Sequence, residues 1–444
     1  MRRYLFTIIS CAFLFCSIQV SAQDQETQNE FSLSGQIRPR LEIRSGNFRP
    51  LSKDEDPAAV ITNRFRINLN YNHSDILKTK FSIQEVGIWG QHAPVQGLNP
   101  TGNDLTLFEG WVDLKIYKGL RTIIGRQTIS LDDERLFGMS DWTPGGRSHD
   151  ALSVYYSKNK FKISTFFAFN QNYAALYGNN LNNPSGSLYN PTGAQPYKLM
   201  QTVWTEYKPS DGLKFSFLFA NVGYQHALSP DENTPVYNQQ TTGLNILLDR
   251  GNTAAALTGY YQFGDNPSGI NTAAFLLSGK ITEQFGDKFS ATAGMDYISG
   301  NRYGRNNNSN HAFQTLFGTN HKFYGDMDYF YSGNMEGNVG LVNTYLSAGF
   351  SPSKKTNLNV AGYMFHSASG IYRDDVKLNH DLGGEIDLKF SLKVSQAVDL
   401  SAGFSRFLTS GSLLYLEKTE LARSFQGYGW LSLNVHPEFF SLKF

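Results

Sequence analysis

The sequence predicts an all-β protein, a transmembrane antiparallel β-barrel of about eighteen strands with short turns at one end and long loops at the other. Three observations carry that prediction. Segments alternate polar and apolar residues with a period of two, which marks strands with one dry and one wet face. Connections alternate in length along the chain, the habit of a barrel with short periplasmic turns and long external loops. Finally, only 40% of the residues are hydrophobic, yet there are 33 Phe, 24 Tyr and 41 Gly, and no apolar run beyond the first two dozen residues is long enough for a spanning helix.

The alternation is clearest at the start. In FSLSGQIRPRLEIR, Phe31, Leu33, Ile37, Leu41 and Ile43 share one face, while Ser32, Ser34, Gln36, Arg38, Arg40, Glu42 and Arg44 share the other. The next segment repeats it, with Phe65, Ile67, Leu69 and Tyr71 opposite Arg64, Arg66, Asn68, Asn70 and Asn72. In a soluble sandwich the hydrocarbon face is the core; in a membrane barrel it meets lipid and the arginines line a wet interior. A one-residue slip would turn Arg38 and Arg40 into lipid at roughly 2–4 kcal/mol each near the midplane, so the register is strongly specified.

In order, strands are expected near 31–45, 59–73, 78–90, 105–117, 119–130, 150–158, 160–170, 199–208, 212–222, 239–248, 253–263, 271–283, 287–299, 338–351, 355–368, 380–394, 397–409 and 424–436. Between them, 45–59, 131–149, 171–197, 222–238 and 300–336 are long or polar, whereas 157–160, 208–212, 249–252 and 352–356 are tight. A sandwich has no reason to segregate long and short connections to opposite ends. The last strand reads FQGYGWLSLNV, with Phe425, Gly427, Gly429, Leu431, Leu433 and Val435 on the lipid side and Gln426, Tyr428, Trp430, Ser432 and Asn434 opposite. Trp89, Tyr117, Tyr207 and Phe263 near strand ends suit interfacial girdles. Pro437 interrupts the final segment, and Phe444, preceded at alternate positions by Leu442 and Phe440, resembles the signal read by outer-membrane barrel-assembly machinery.

Residues 1–22 read as a secretory signal: Arg2 and Arg3, an apolar stretch from Tyr4 to about Ile18, then Val20-Ser21-Ala22. Ser10-Cys11 superficially resembles a lipoprotein site but leaves almost no apolar region before the cut. Residues 23–30 form a short periplasmic lead and 31–444 the barrel, with no room before Phe31 for a plug domain of an active transporter. Both cysteines, Cys11 and Cys16, lie in the leader, so the exported chain has no disulfide and draws its stability from closed-barrel hydrogen bonding. Loss of Arg2 and Arg3 leaves 37 basic residues against 38 acidic, so electrostatic function rests on where charges sit rather than on their total.

The stretches GRQTISLDDERLFGMSDWTPGGRSHDALS (125–153) and LFGTNHKFYGDMDYF (316–330) resemble the alginate export family of outer-membrane barrels, in the form found in Bacteroidetes-type bacteria, and the resemblance runs over essentially the whole mature chain. It implies an eighteen-stranded barrel with an arginine-lined pore for a negatively charged uronate polysaccharide. Guanidinium suits carboxylates because it stays charged and binds them in a fork. Alternation alone puts Arg38, Arg40, Arg44, Arg64 and Arg66 on the inner face; the resemblance adds Arg126, Arg135 and Arg147. For Arg126 alternation points the other way, outward, unless a bulge at Gly125 shifts the register. The block 131–149 is long enough to fold into the channel as a constriction or to cap it outside.

Inner-face carboxylates are Glu42, Glu109 and Asp113 by alternation, with Asp132, Asp133 and Glu134 in the 131–149 block. If each arginine pairs with one of them, the field is transverse and the pairs stiffen the wall; the clustering of arginines on the first two strands favours a cationic pore. The neighbours Ser148, His149 and Asp150 do not make a triad, because alternate strand residues point apart. His311, His321 and His380 lack metal-ligand spacing, Asp326 with Asp328 is a bare calcium possibility, and nothing resembles a phosphate loop or a nucleic-acid surface. The expectation is a passive outer-membrane channel in lipid with nine external loops, no cofactor and no catalytic cycle, passing anionic solutes or a uronate polysaccharide. The alternatives are a general nutrient-uptake porin with little charge selectivity, an outer-membrane barrel enzyme, and a plugged structural barrel.

Overall fold

The fold follows from closing the alternating strands on themselves, which leaves no backbone edge in the hydrocarbon. The structure is a computed structural model that describes residues 29–46, 48–91, 105–170, 197–225, 235–330 and 338–444. The leader expected over 1–22 and most of the 23–30 lead lie outside these residues, as do most of 171–197 and the end of 300–336.

The first wall strand is broken into β1 (Asn29–Ile37) and β2 (Arg40–Arg44), so it begins two residues before the expected Phe31. Then come β3 (Ala58–His73), β4 (Leu77–Ile88), β5 (Leu105–Tyr117), β6 (Leu120–Gln127), β7 (His149–Lys158) and β8 (Phe161–Phe169). The far wall comprises β9 (Tyr197–Ser210), β10 (Leu213–Gln225), β11 (Val236–Arg250), β12 (Thr253–Asp265), β13 (Asn271–Phe285) and β14 (Phe289–Ile298). The return is made by β15 (Leu341–Ser353) and β16 (Thr356–His366), a two-stranded loop hairpin β17 (Tyr372–Arg373) and β18 (Val376–Lys377), then β19 (Asp381–Lys393), β20 (Val398–Thr409), a short helix α1 (Gly411–Leu416), β21 (Gln426–Val435) and β22 (Glu438–Lys443). The sheet has 20 segments; because β1 and β2 form one wall strand and β21 and β22 another, the barrel is eighteen-stranded, and every neighbouring pair is antiparallel.

Closure is made between the first and last strands. Leu33 pairs with Phe440, Ile37 with Val435, and Arg40 with Ser432. Each of these two strands carries a proline at its break, and the carbonyls there are used from across the seam: Leu433 donates to the Pro39 oxygen at 3.2 Å and Gly35 to the Pro437 oxygen at 3.0 Å. The ladder shifts register between Leu33 and Ser34, which accommodates Pro437.

Eight turns close one end, all short, such as 159–160, 211–212 and 251–252; nine connections close the other, of which 266–270 is an exception to the expected length. Outward residues form an apolar belt: Ile37 is 46% exposed, Phe81 48%, Leu152 42%, Leu257 59% and Leu431 48%, side chains that burial in an aqueous fold would have hidden. Trp89 and Phe263 are exposed toward the long-loop end, Tyr117 and Tyr207 toward the short-turn end, the two levels of an interfacial girdle. No helix among the described residues is long and apolar enough to cross a membrane; the strands cross it.

Inside, the lumen is not lined by polar residues alone. Two long connections turn inward, over 128–148 and over 299–330, and carry Ile129, Leu131, Leu136, Phe137, Phe313, Phe317, Tyr324, Met327, Tyr329 and Phe330 into one cluster with inward side chains of the wall, among them Phe166, Met200, Leu218, Leu276, Phe365 and Phe407. Phe137 and Phe317 join the two loops in a parallel bridge. The loops need unusual backbone: Asp132, Glu134 and Ser140 in one, and Leu316, Tyr324 and Asp328 in the other, have φ between 45 and 71°. Such conformations in non-glycine residues persist where the surroundings over-determine them.

Candidate functional site

The site is the lumen between the arginine-bearing wall and the two inward loops. Its basic side follows from alternation: Arg38 falls at the break between β1 and β2, Arg40 and Arg44 lie on β2, and Arg64 and Arg66 lie beside them on β3. All five point inward, where Arg40, Arg64 and Arg66 are buried.

Loop 128–148 lies along these arginines and offers them oxygen atoms in sequence. Arg38 donates to the Asp141 carbonyl at 2.7 Å and to its carboxylate at 3.2 Å, and to the Thr143 carbonyl at 3.2 Å. Arg40 donates to the Trp142 carbonyl at 2.6 Å and pairs with Glu42 at 3.2 Å. Arg64 reaches the Asp141 carboxylate at 2.8 Å. Arg66 forks onto Gln84 Oε1, 3.0 and 2.6 Å, and stacks over Phe108 at 3.5 Å, while the Gln84 amide donates to the Gly145 carbonyl at 2.8 Å. Arg44 donates to the Met327 carbonyl at 2.8 Å, pairs with Asp328 at 3.6 Å and covers Tyr428, whose hydroxyl is bonded to Glu42. Trp142 is the hub between the loops: it stacks on His321 at 4.0 Å, meets Trp430 edge-on at 4.9 Å and lies under Arg40 at 4.1 Å.

The far end of loop 128–148 grips the opposite wall. Asp132 accepts from Trp204 at 3.0 Å, Ser216 at 2.5 Å and Asn245 at 3.0 Å. Burial pushes its carboxyl up from the ordinary value, against the hydrogen bonds from Ser216 and Trp204. Arg135 is buried on Asp133 at 2.9 Å and Asp296 at 2.7 Å, with Tyr324 and Ser278 each accepting from it at 2.8 Å. Burial works to discharge that guanidinium, but Tyr324, Asp296 and Asp133 outweigh it and hold its pKa above the ordinary value. Arg147 donates to the Phe317 and Gly318 carbonyls, so it ties one loop to the other. Glu134 is near Lys322 at 3.7 Å. The second loop is held by wall carboxylates: Met327 N–H donates to Glu385 at 2.8 Å, Asp326 N–H to Asp387 at 3.2 Å, and Lys389 pairs with Asp326 at 2.7 Å.

Toward the short-turn end the lumen stays polar and cationic groups are paired with carboxylates. Lys80 bonds Glu109, Arg121 bonds Asp113 at 2.9 Å, and Glu206 gathers Lys162 at 3.0 Å with Lys208 and Lys214 near 3.6 and 3.7 Å.

Three of the candidate residues need correction. Arg126 does not line the pore. The ladder runs without a shift through Gly125, pairing Arg126 with Asp150, so the side chain emerges on the outer face with Ile124 and Leu152 and forks onto Asp150 at 2.8 and 2.6 Å. Arg135 and Arg147 lie inside the barrel, Arg135 buried and Arg147 half-buried, but as anchors of the loops rather than as a lining open to solute. The 131–149 block is internal, not an external cap. Ser148, His149 and Asp150 are split by the wall: His149 is buried on the Tyr197 hydroxyl at 2.9 Å and Asp150 is outside. Asp326 and Asp328 are engaged by Lys389 and by His321 and Arg44, and no cluster of three metal-ligating side chains is present among the described residues.

The sequence missed Asp141, Trp142, Gln84 and Asp296. Gln84 and Asp296 carry a signal, since each falls on the polar side of an alternating strand; the loop pair Asp141-Trp142 carries none.

A closed antiparallel barrel of eighteen strands with an apolar outer belt and girdles defines an outer-membrane β-barrel. Several crystal structures have a similar shape. Acinetobacter baumannii OccAB4 superposes with a TM-score of 0.62 at 10% identity, over 94% of this chain and 99% of that one. Pseudomonas aeruginosa OccK8 (OprE) gives 0.58 at 10%, over 92% and 98%, and a BenF-like porin from Pseudomonas fluorescens 0.59 at 11%, over 92% and 99%. At these identities the likeness establishes the fold. No family model and no curated protein matches the chain, so the resemblance to the alginate export family finds no support beyond the barrel itself.

Proposed function

We propose that the chain is a passive outer-membrane porin for small hydrophilic solutes, with a preference for anions set by the arginines of β1–β3. The observation that carries the small-solute reading is the meeting of segments 128–148 and 299–330 inside the lumen, through the Phe137–Phe317 bridge and the Arg147 contacts. A lumen crossed by packed side chains suits molecules of sugar or amino-acid size better than a polymer. The BenF-like porin among the similar structures supports the channel reading.

The anion preference rests on local charge. Arg38, Arg40, Arg64 and Arg66 face two carboxylates, Glu42 and Asp141, with the neutral Gln84 completing the set. The surplus lowers the barrier for an anion, while the spread of the guanidinium groups along two strands keeps any one position from trapping it. Export of a uronate polysaccharide draws on the same arginines and on the sequence resemblance alone, and is the weaker reading.

The test is single-channel recording in a planar bilayer under a salt gradient, with wild type and a variant carrying Ser at Arg38, Arg40, Arg64 and Arg66. An anion-favouring reversal potential that moves toward zero in the variant supports the proposal. Open channels with no charge preference in either protein leave a general porin, and absence of conductance refutes the channel reading.

A further inference from the structure

Arg38 and Arg64 share a counter-ion that comes from a loop rather than from the wall. Asp141 belongs to loop 128–148, and its carboxylate spans two guanidinium groups, Oδ1 on Arg64 at 2.8 Å and Oδ2 on Arg38 at 3.2 Å. Exposure is distributed unequally across this contact: the Arg64 side chain is 1% exposed and that of Arg38 11%, but that of Asp141 is 53%. The carboxylate therefore sits on the lumen side of the guanidinium groups. The loop backbone does not depend on it, since the carbonyls of Asp141, Trp142, Thr143 and Pro144 make their own contacts with Arg38, Arg40 and Arg64, and Trp142 is held by aromatic packing. Beneath it, Nε of Arg40 and Nε of Arg64 are buried without an acceptor, so the cluster has donor capacity unused.

We propose that Asp141 is a displaceable internal counter-ion: its carboxylate occupies the seat between Arg38 and Arg64 that the carboxylate of a passing solute takes, and the loop competes with that solute for the site. The inference rests on the porin reading above and deepens it by naming the residue that sets affinity for carboxylates. The physical logic is exchange. When a solute carboxylate replaces that of Asp141, the guanidinium groups keep the same number of negative partners, so the exchange leaves no further buried positive charge uncompensated. The half-exposed Asp141 side chain swings into water at little cost, then returns to help expel the solute. A site that always has its own ligand holds a passing anion weakly, which favours throughput over retention. An apparent affinity is lowered by the fraction of time the site is already filled.

The experiment compares wild type, Asp141→Asn, the pair Arg38→Gln/Arg64→Gln, and all three changes together, reading in planar bilayers the reversal potential and the concentration of glucuronate that halves the chloride current. If Asp141 occupies the seat about nine-tenths of the time, Asp141→Asn tightens the half-blocking concentration about tenfold. Asp141→Ser, which removes the carboxylate differently, gives the same direction, and Asp141→Glu retains wild-type block. In the Arg38→Gln/Arg64→Gln background, Asp141→Asn changes nothing. A tightening of equal size in that background means Asp141 acts as a distant charge and overturns the proposal. Wild type that is anion-selective and blocked by glucuronate, with block unchanged in both Asp141→Asn and Asp141→Ser, overturns the proposal and leaves the porin reading standing. Absence of conductance in every protein overturns both.

Discussion

Arg135 is the place to test whether the inward loops are built into the barrel or merely rest in it. Its guanidinium is 3% exposed and joins Asp133 in the loop to Asp296 on β14, with hydrogen bonds to Tyr324 and Ser278 and the Phe323 ring 4.2 Å away. Arg135→Met keeps much of the apolar stem but strips the Asp296 carboxylate, 1% exposed, of its cation and leaves it the Asn343 amide at 2.9 Å. Removing one partner of a buried pair costs about 3–5 kcal/mol, chiefly through the charge left behind. Because every 1.4 kcal/mol is tenfold, the ratio of docked to undocked loop should fall by about a hundredfold or more. The strand ladder does not pass through this contact, so the barrel should persist while the loop opens. The assay is trypsin cleavage after Arg147, whose side chain is half-buried and held by the Phe317 and Gly318 carbonyls in the docked loop, followed alongside open-channel current noise. Cleavage and noise should both rise in Arg135→Met. Adding Asp296→Leu should recover most of the docking, since a buried pair replaced by apolar residues is often neutral. Unchanged cleavage in Arg135→Met, or no recovery in the double variant, would refute the reasoning.

Three further outcomes follow from the geometry. Asp132 has its pKa raised in the folded protein, so at neutral pH its charge penalises the loop–wall contact and the penalty lifts as pH falls through the raised value toward 3.8; Asp132→Asn should therefore gain thermal stability over wild type at pH 7 in detergent and lose that advantage in acid, and a constant difference would contradict the burial argument. Arg126→Ala should leave ion selectivity unchanged and alter stability by less than about 1 kcal/mol, because the Arg126–Asp150 pair is an outer-face pair with side chains 39% and 54% exposed; a shifted reversal potential would put it back in the pore. Glu109→Gln releases Lys80 into the lumen, and one uncompensated charge at about 4 Å in water is worth about 1 kcal/mol, so anion preference should rise by up to roughly fivefold in reversal-potential measurements.

The wall of this protein is written locally, and the interior is not. Alternation assigns Arg38, Arg40, Arg64 and Arg66 to one face and Phe65, Ile67 and Leu69 to the other with no knowledge of distant residues, because a strand in lipid tolerates no other register. The same reasoning places Arg126 outside once the ladder through Gly125 is seen to be regular, and the resemblance that put it in the pore misled. What remained hidden was the destination of the two loops. Their contacts join residues far apart in sequence, Arg135 with Asp296 and Asp132 with Asn245, and no local pattern encodes such partners. A weaker signal was present: β8 reads FKISTFFAF, apolar on both faces near its end, with Phe166 turned inward at 2% exposure and Phe167 outward at 46%. A lipid-facing strand lined by water needs only one apolar face; two announce that something dry packs inside.

The seam has a consequence for how the protein is made and how it ages. Pro39 and Pro437 each lack an amide hydrogen, on the two strands that must find each other last if the wall is laid down from one end of the chain to the other. The joint that completes the cylinder is thus the one with interruptions on both sides, stitched above and below by runs such as Phe31 to Leu442 and Leu41 to Leu431. In deuterated buffer the amides of Gly35 and Leu433 should exchange ahead of those in the unbroken β11–β12 ladder, marking where a finished barrel first parts.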